Sequence, residues 1–231
     1  MPTRRQTQLL LWSQPAADVL LLTWASGMLD ALSYLRAGVF TANMTGNTVV
    51  LGLAIAGIEK SRTVPAAVSI GSFAAGALIA AMAIPRNTRP WSRDLKLGTA
   101  MELPFAVAFA LLWIATPPHR PYGLVLIFLA AATLGIQSVA VRRMKIWGVT
   151  TTFITGSITT AMMVLVSRIR RVAPRSSERS GHHLLLFLIF IIYVLAAATG
   201  TLLSSSHSVW AVVIPLGAIL TVCLRSFFAA R

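Results

Sequence analysis

Acidic residues are scarce in this chain: six Asp and Glu stand against 20 Lys and Arg among 231 residues. Charge of either sign is also low, at 11%, where a soluble domain carries about a quarter. A soluble globular fold is therefore excluded. There is one cysteine, Cys223, and it lies in an apolar run, so no disulfide framework exists and packing is its simplest role. No long polar stretch is available for a soluble domain. The alternating pattern of a membrane β-barrel is absent. The four histidines show no metal-ligand spacing with Cys or carboxylates. No nucleophile elbow and no phosphate loop occurs. An enzyme, a cofactor and a metal are thus not expected.

What is present is hydrocarbon. Apolar residues make up 56% of the chain, with a mean hydropathy of +0.77. Runs near twenty residues recur along its length, which predicts a polytopic α-helical membrane protein. The net charge of +14 does not indicate nucleic acid, because the basic residues form clusters between apolar runs rather than one face. Such clusters are what cytoplasmic loops carry. The N-terminal Thr3-Arg4-Arg5-Gln6 slightly resembles a twin-arginine signal, but the stretch after it holds Asp18 and lacks a small-residue cleavage site. A retained first span is expected.

Eight apolar segments can be drawn, at about 17–37, 43–58, 64–85, 98–116, 121–141, 150–167, 183–203 and 208–226. The second and sixth are unusual. The second has a continuous apolar part only from Val49 to Ile58, too short to span. The sixth begins with Thr150, Thr151, Thr152, Thr155 and Ser157. If all eight crossed, with the N-terminus inside, Lys and Arg would divide 12 inside to 8 outside. If the second and sixth dip in and return, the division becomes 16 to 4, with only Arg36, Lys60, Arg62 and Arg120 outside. The positive-inside rule favours the latter. The expectation is an all-α bundle of six spans plus two re-entrant segments, both termini cytoplasmic, in one membrane domain over 1–231.

The two odd segments carry the same motif. Gly38-Val39-Phe40-Thr41-Ala42-Asn43-Met44-Thr45-Gly46-Asn47 and Gly148-Val149-Thr150-Thr151-Thr152-Phe153-Ile154-Thr155-Gly156-Ser157 match at a constant offset of 110. Gly27-Met28-Leu29-Asp30 precedes the first much as Gly135-Ile136-Gln137-Ser138 precedes the second. Ala75-Gly76-Ala77-Leu78-Ile79 resembles Thr199-Gly200-Thr201-Leu202-Leu203. Three crossings per half would make halves of about 15–116 and 119–228 an inverted repeat, an architecture frequent in transporters and channels. The bland alternative is chance similarity among apolar helices.

Candidate site residues follow from polarity at membrane depth. In a re-entrant geometry the chain turns near Thr45-Gly46-Asn47, a short helix runs back out from Thr48, and Gly46 and Gly156 allow the tight turn. Asn43, Thr45, Asn47, Thr151, Thr155 and Ser157 then cap helices or bond a permeant species. Two helix N-termini facing each other favour an anion or a polar solute. The alternative is two ordinary helices with Thr/Asn caps at an interface. Asp30 lies inside the first span and is by default a functional candidate for a proton or cation. Its alternatives are a structural hydrogen bond or pairing with Arg36. Contact with Asn43, Thr45 or Asn47 is expected. Gln137 and Ser138 occupy the related place without charge. Glu102, placed in the first turns of its span near the cytoplasmic surface, is a weaker candidate. The small-residue stripes Ser72, Gly76, Ala80 and Ala196, Gly200, Ser204 suggest close helix packing, within the chain or in a homo-oligomer.

The stretches Gly27–Ala31 and Phe40–Asn47, with Gly135–Ser138 and Thr151–Gly156, resemble the YoaK-like family of bacterial membrane proteins, a family without an assigned function. The resemblance covers nearly the whole chain. It implies six spans in a bacterial cell membrane and no known activity. Ser138 stands where that family usually has Asn, which weakens a side-chain amide role there. The resulting expectation is a small secondary transporter or channel for a small polar or anionic solute, coupled to protons through Asp30. The alternative is a non-transporting scaffold or assembly partner.

Overall fold

A computed structural model describes residues 14–84, 91–116, 123–144, 182–206 and 208–229, with isolated positions between 158 and 166. The second motif, with Thr151, Thr155, Gly156 and Ser157, lies outside the described residues. Seven helices are described and no strand: α1 Gln14–Ala37, α2 Met44–Ile55, α3 Thr63–Ala83, α4 Trp91–Ala115, α5 Leu124–Arg143, α6 His182–Ser205 and α7 Trp210–Ala229. Six of them are long and apolar enough to cross a membrane, and α2 is the short one.

Local chemistry sets the boundaries. Pro15 sits in the first turn of α1, where its missing N–H costs nothing. The helix stops at Gly38, whose φ of +65° lets its N–H close onto the Tyr34 carbonyl at 2.8 Å. Inside the spans, polar side chains satisfy themselves locally. The hydroxyls of Thr23, Ser33, Ser72 and Thr133 each donate to the carbonyl four residues back. This makes them tolerable in hydrocarbon without a partner helix.

α1 and α5 are the central helices and are mostly buried, while α3 and α6 are peripheral and largely exposed. Exposed apolar side chains such as Leu78, Met82, Leu202 and Phe228 are an ordinary surface for a protein in lipid. The packing is crossed. α3 lies mainly along α5, α6 mainly along α1, and α4 touches both α5 and α7. Glycine permits these close approaches. A Cβ on Gly76 would come within 2.3 Å of the Ala132 carbonyl oxygen, and one on Gly135 within 2.2 Å of the Phe73 oxygen. On the other side, Gly27 presses on the Tyr193 oxygen and Gly200 on the Met28 backbone, at 2.8 and 3.2 Å for an added Cβ. Ser72, Gly76, Ala80, Ala196 and Ser204 are all buried, so the small-residue stripes serve packing within the chain.

Several boundaries differ from the sequence expectation. α4 begins at Trp91 rather than near 98, because Arg93, Asp94 and Lys96 extend the helix beyond the apolar run. Glu102 is consequently three turns into α4 rather than in its first turn. The short helix starts at Met44, not Thr48. Gly46 is therefore inside its first turn. The left-handed backbone positions around the motif are Gly38, Gly57 and Glu59 instead.

Candidate functional site

Between α1 and α2 the chain folds back beside α1. The carboxylate of Asp30 defines the depth. Its Oδ1 accepts from the Thr41 N–H at 2.7 Å, the Ala42 N–H at 2.5 Å and the Thr41 hydroxyl at 3.2 Å. Its Oδ2 accepts from the Tyr193 hydroxyl of α6. Asp30 lies seven residues before Ala37, which is about 10 Å of helix at 1.5 Å per residue. Thr41 and Ala42 thus sit about that far from the Ala37 end of α1. α2 starts at that level and runs twelve residues, or about 18 Å. Hydrocarbon is about 30 Å thick, so α2 reaches only part way.

The loop is clamped on both sides. Asn47 pairs its side-chain amide with the backbone of one residue: Phe40 N–H donates to its Oδ1 at 2.8 Å, and its Nδ2 donates to the Phe40 carbonyl at 2.6 Å. The same Nδ2 reaches Ser69 Oγ of α3 at 3.0 Å, and the Ser69 hydroxyl donates to the Phe40 carbonyl. Asn43 caps α2, its Oδ1 accepting from the Gly46 N–H at 3.1 Å. Phe40 stacks on Tyr34 with centroids 4.8 Å apart. Gly46 gives room for the same ring: an added Cβ would lie 2.9 Å from it. Close approach, not a tight turn, is what Gly46 supplies. At the rim the Arg62 guanidinium lies across Gly38 and pairs with Glu59 at 2.9 Å.

The sequence candidates therefore separate. Asp30 contacts the first motif, but through Thr41 and Ala42 rather than Asn43, Thr45 or Asn47. The reason is that α2 starts four residues earlier, which turns those three side chains to capping, outward and to α3. Thr45 is exposed. Arg36 does not pair with Asp30; its guanidinium sits 4.7 Å above the Trp113 ring. Gln137 is fully buried and donates to the Leu22 carbonyl at 3.2 Å and the Ser26 hydroxyl at 2.8 Å, tying α5 to α1. Ser138 is buried beside it. Tyr193 and Ser69 were missed. Tyr193 is one of three tyrosines and the one polar aromatic in its apolar run, a signal that was available.

At the opposite end of α1, Arg225 of α7 pairs with the buried Asp18 at 2.8 Å. Glu102 is fully buried, and neither of its carboxylate oxygens has a hydrogen-bond partner among the described residues.

A family model described as a protein of unknown function (DUF1275) matches residues 19–224. The chain belongs to the DUF1275 family. Within related sequences it is similar to the UPF0700 transmembrane protein YoaK of Bacillus subtilis (strain 168), at 32% identity over 155 residues, 64% of this chain and 66% of that protein. The matched region is thus just under two thirds of the relative's length. No solved structure matches. The DUF1275 match runs from early α1 to late α7, so both the Asp30 clamp and Glu102 lie inside it.

Proposed function

We propose that this protein is a small secondary transporter or channel for a small polar or anionic solute, built from two inverted halves in a bacterial inner membrane with both termini cytoplasmic. The observation that carries the reading is the donor set at Asp30. Two adjacent backbone N–H groups and a hydroxyl, on a segment that folds back to membrane depth, converge on one carboxylate oxygen. Donors so arranged bind an anion. Here the anion is the protein's own. A proton on Asp30 removes the charge that holds the loop and leaves these donors to a solute, which links solute entry to proton binding.

The crossed packing supports the inverted repeat. Gly27 and Gly135 are equivalent in the sequence comparison, as are Gly76 and Gly200. Gly27 and Gly200 mark the contact of α1 with α6, and Gly135 and Gly76 that of α5 with α3. Exchange of the halves maps one crossing onto the other. No reaction step belongs to this reading. A scaffold role is the second reading, favoured by the dryness of the first motif: Thr41, Ala42 and Asn47 are fully buried and bonded within the chain.

Proteoliposomes test the two. Asp30→Asn keeps hydrogen-bonding shape but cannot ionise. It should abolish accumulation driven by a pH gradient while leaving solute exchange. Gly46→Val should block both by pushing on Phe40. A wild-type protein that moves no small solute, with neither variant altering flux, establishes the scaffold. In a Cys223→Ser background, cysteine at Arg62 should be labelled only from outside. Labelling from the cytoplasm would remove the inverted repeat.

A further inference from the structure

Glu102 is used by nothing described so far. It has no exposure and, among the described residues, no hydrogen-bond partner. An ionised carboxylate in that condition costs several kcal/mol or more, and a chain does not retain it there as a charge. We infer that Glu102 is a second proton-binding site, separate from the Asp30 clamp, and that it serves to couple proton movement to the shifting of α4 against α7.

Position supports this. Gly98 of α4 packs on Ala140 of α5, and Ala106 shares an almost wholly apolar void with Thr133. Glu102 lies midway between Gly98 and Ala106, so it is level with Ile136 and Gln137 of α5. The Gln137 amide crosses at that level to Ser26 of α1, and Asp30 is one turn beyond Ser26. Glu102, Gln137, Ser26 and Asp30 thus lie at successive levels from α4 through α5 to α1, all buried. The void begins one turn outward from Glu102 and is also lined by Leu29, Phe109, Pro215 and Ile219.

Both helices have a weak point there. Pro104 lies two residues from Glu102, and Pro215 lines the void. Each proline removes one helical hydrogen bond. Among the described residues, no compensating charge is placed against Glu102. α5 carries titratable groups only at its inner end, Arg142 and Arg143. α7 carries Cys223, which is buried, and Arg225, which is held by Asp18. On α1, Asp18 and Asp30 are both bonded elsewhere. The step is simple: a proton from water adds to one carboxylate oxygen and gives the neutral acid. Its return requires water to reach Glu102, which requires α4 and α7 to part.

The coupling role rests on the transport reading; the proton site does not. Infrared difference spectroscopy of the purified full-length protein in lipid separates them. At neutral pH the wild type should show the carbonyl stretch of a protonated carboxyl without hydrogen-bond partners, shifting in D2O. Glu102→Gln should remove it, Glu102→Asp should retain a displaced band, and Asp30→Asn should leave it. Absence of the band in wild type, or its survival in Glu102→Gln, overturns the inference. In dye-loaded proteoliposomes, inward gradients of acetate, chloride and phosphate supply the second readout. Acidification with any of them that is lost in Glu102→Gln supports coupling. The band present with no acidification by any of the three overturns the coupling role and leaves the proton site standing.

Discussion

Asp30 and Glu102 are both acids buried in the middle of spans, and their surroundings are opposite. Asp30 accepts four hydrogen bonds from three residues on two segments. Glu102 accepts none. A fully bonded carboxylate holds structure together and resists leaving its place. An unbonded one contributes nothing to stability as a charge. In the sequence both are acids within apolar runs, Asp30 deep in its run and Glu102 near the start of its own. Burial does not distinguish them; the count of donors does.

Substitutions can break or sharpen that contrast. Asp30→Ala should have the largest effect. It strands the buried N–H groups of Thr41 and Ala42 and the Tyr193 hydroxyl, at about 1–3 kcal/mol for each group left unsatisfied. Thermal unfolding in detergent should show a large drop in Tm, or the protein should fail to accumulate. Asn47→Leu comes next. It removes both bonds to the Phe40 backbone and the one to Ser69, for a loss of about 2–4 kcal/mol, and protease should then cut between Gly38 and Asn43 faster than in wild type.

Tyr193→Phe deletes one donor and keeps the ring. A loss of about 1–2 kcal/mol is expected, measured by denaturant titration, with Asp30 still held by the loop. Glu102→Gln should be the smallest. With no partner to lose, stability should change by less than about 0.5 kcal/mol or rise. If it instead destabilises as much as Tyr193→Phe, Glu102 has a structural partner and the contrast collapses.

Much of the architecture was legible beforehand. Length and hydropathy located all six long helices, and the short apolar run from Val49 to Ile58 singled out the segment after α1. Asp30 was found because an acid in hydrocarbon is conspicuous, and the small-residue stripes were found by their spacing. Three things were not legible. The start of α2 at Met44 depends on Asn43 capping, and a Thr/Asn-rich stretch offers several equivalent caps. The Tyr193 partner of Asp30 is 163 residues away in the chain, and although the tyrosine stands out in its apolar run, no local pattern pairs it with Asp30. Glu102 was misplaced because Arg93, Asp94 and Lys96 look like a loop by hydropathy although they form helix. Lys96 is stabilised there, its ammonium 3.8 Å above the Phe227 ring, and that cation–π contact is invisible without the fold.

The bond between Asp30 and Tyr193 also has a consequence for biogenesis. The first helix enters the bilayer early in synthesis, yet α6, which covers it and supplies Tyr193, is made only after α2, α3, α4 and α5. Through that interval Asp30, Ser26 and Thr23 belong to a central helix whose cover has not been translated. The nascent chain therefore needs either the loop at Thr41–Ala42 to fold back at once and occupy the carboxylate, or an insertion factor to shelter α1. The loop clamp is local, eleven and twelve residues away, and can close cotranslationally. It is the chain's own provision for the wait.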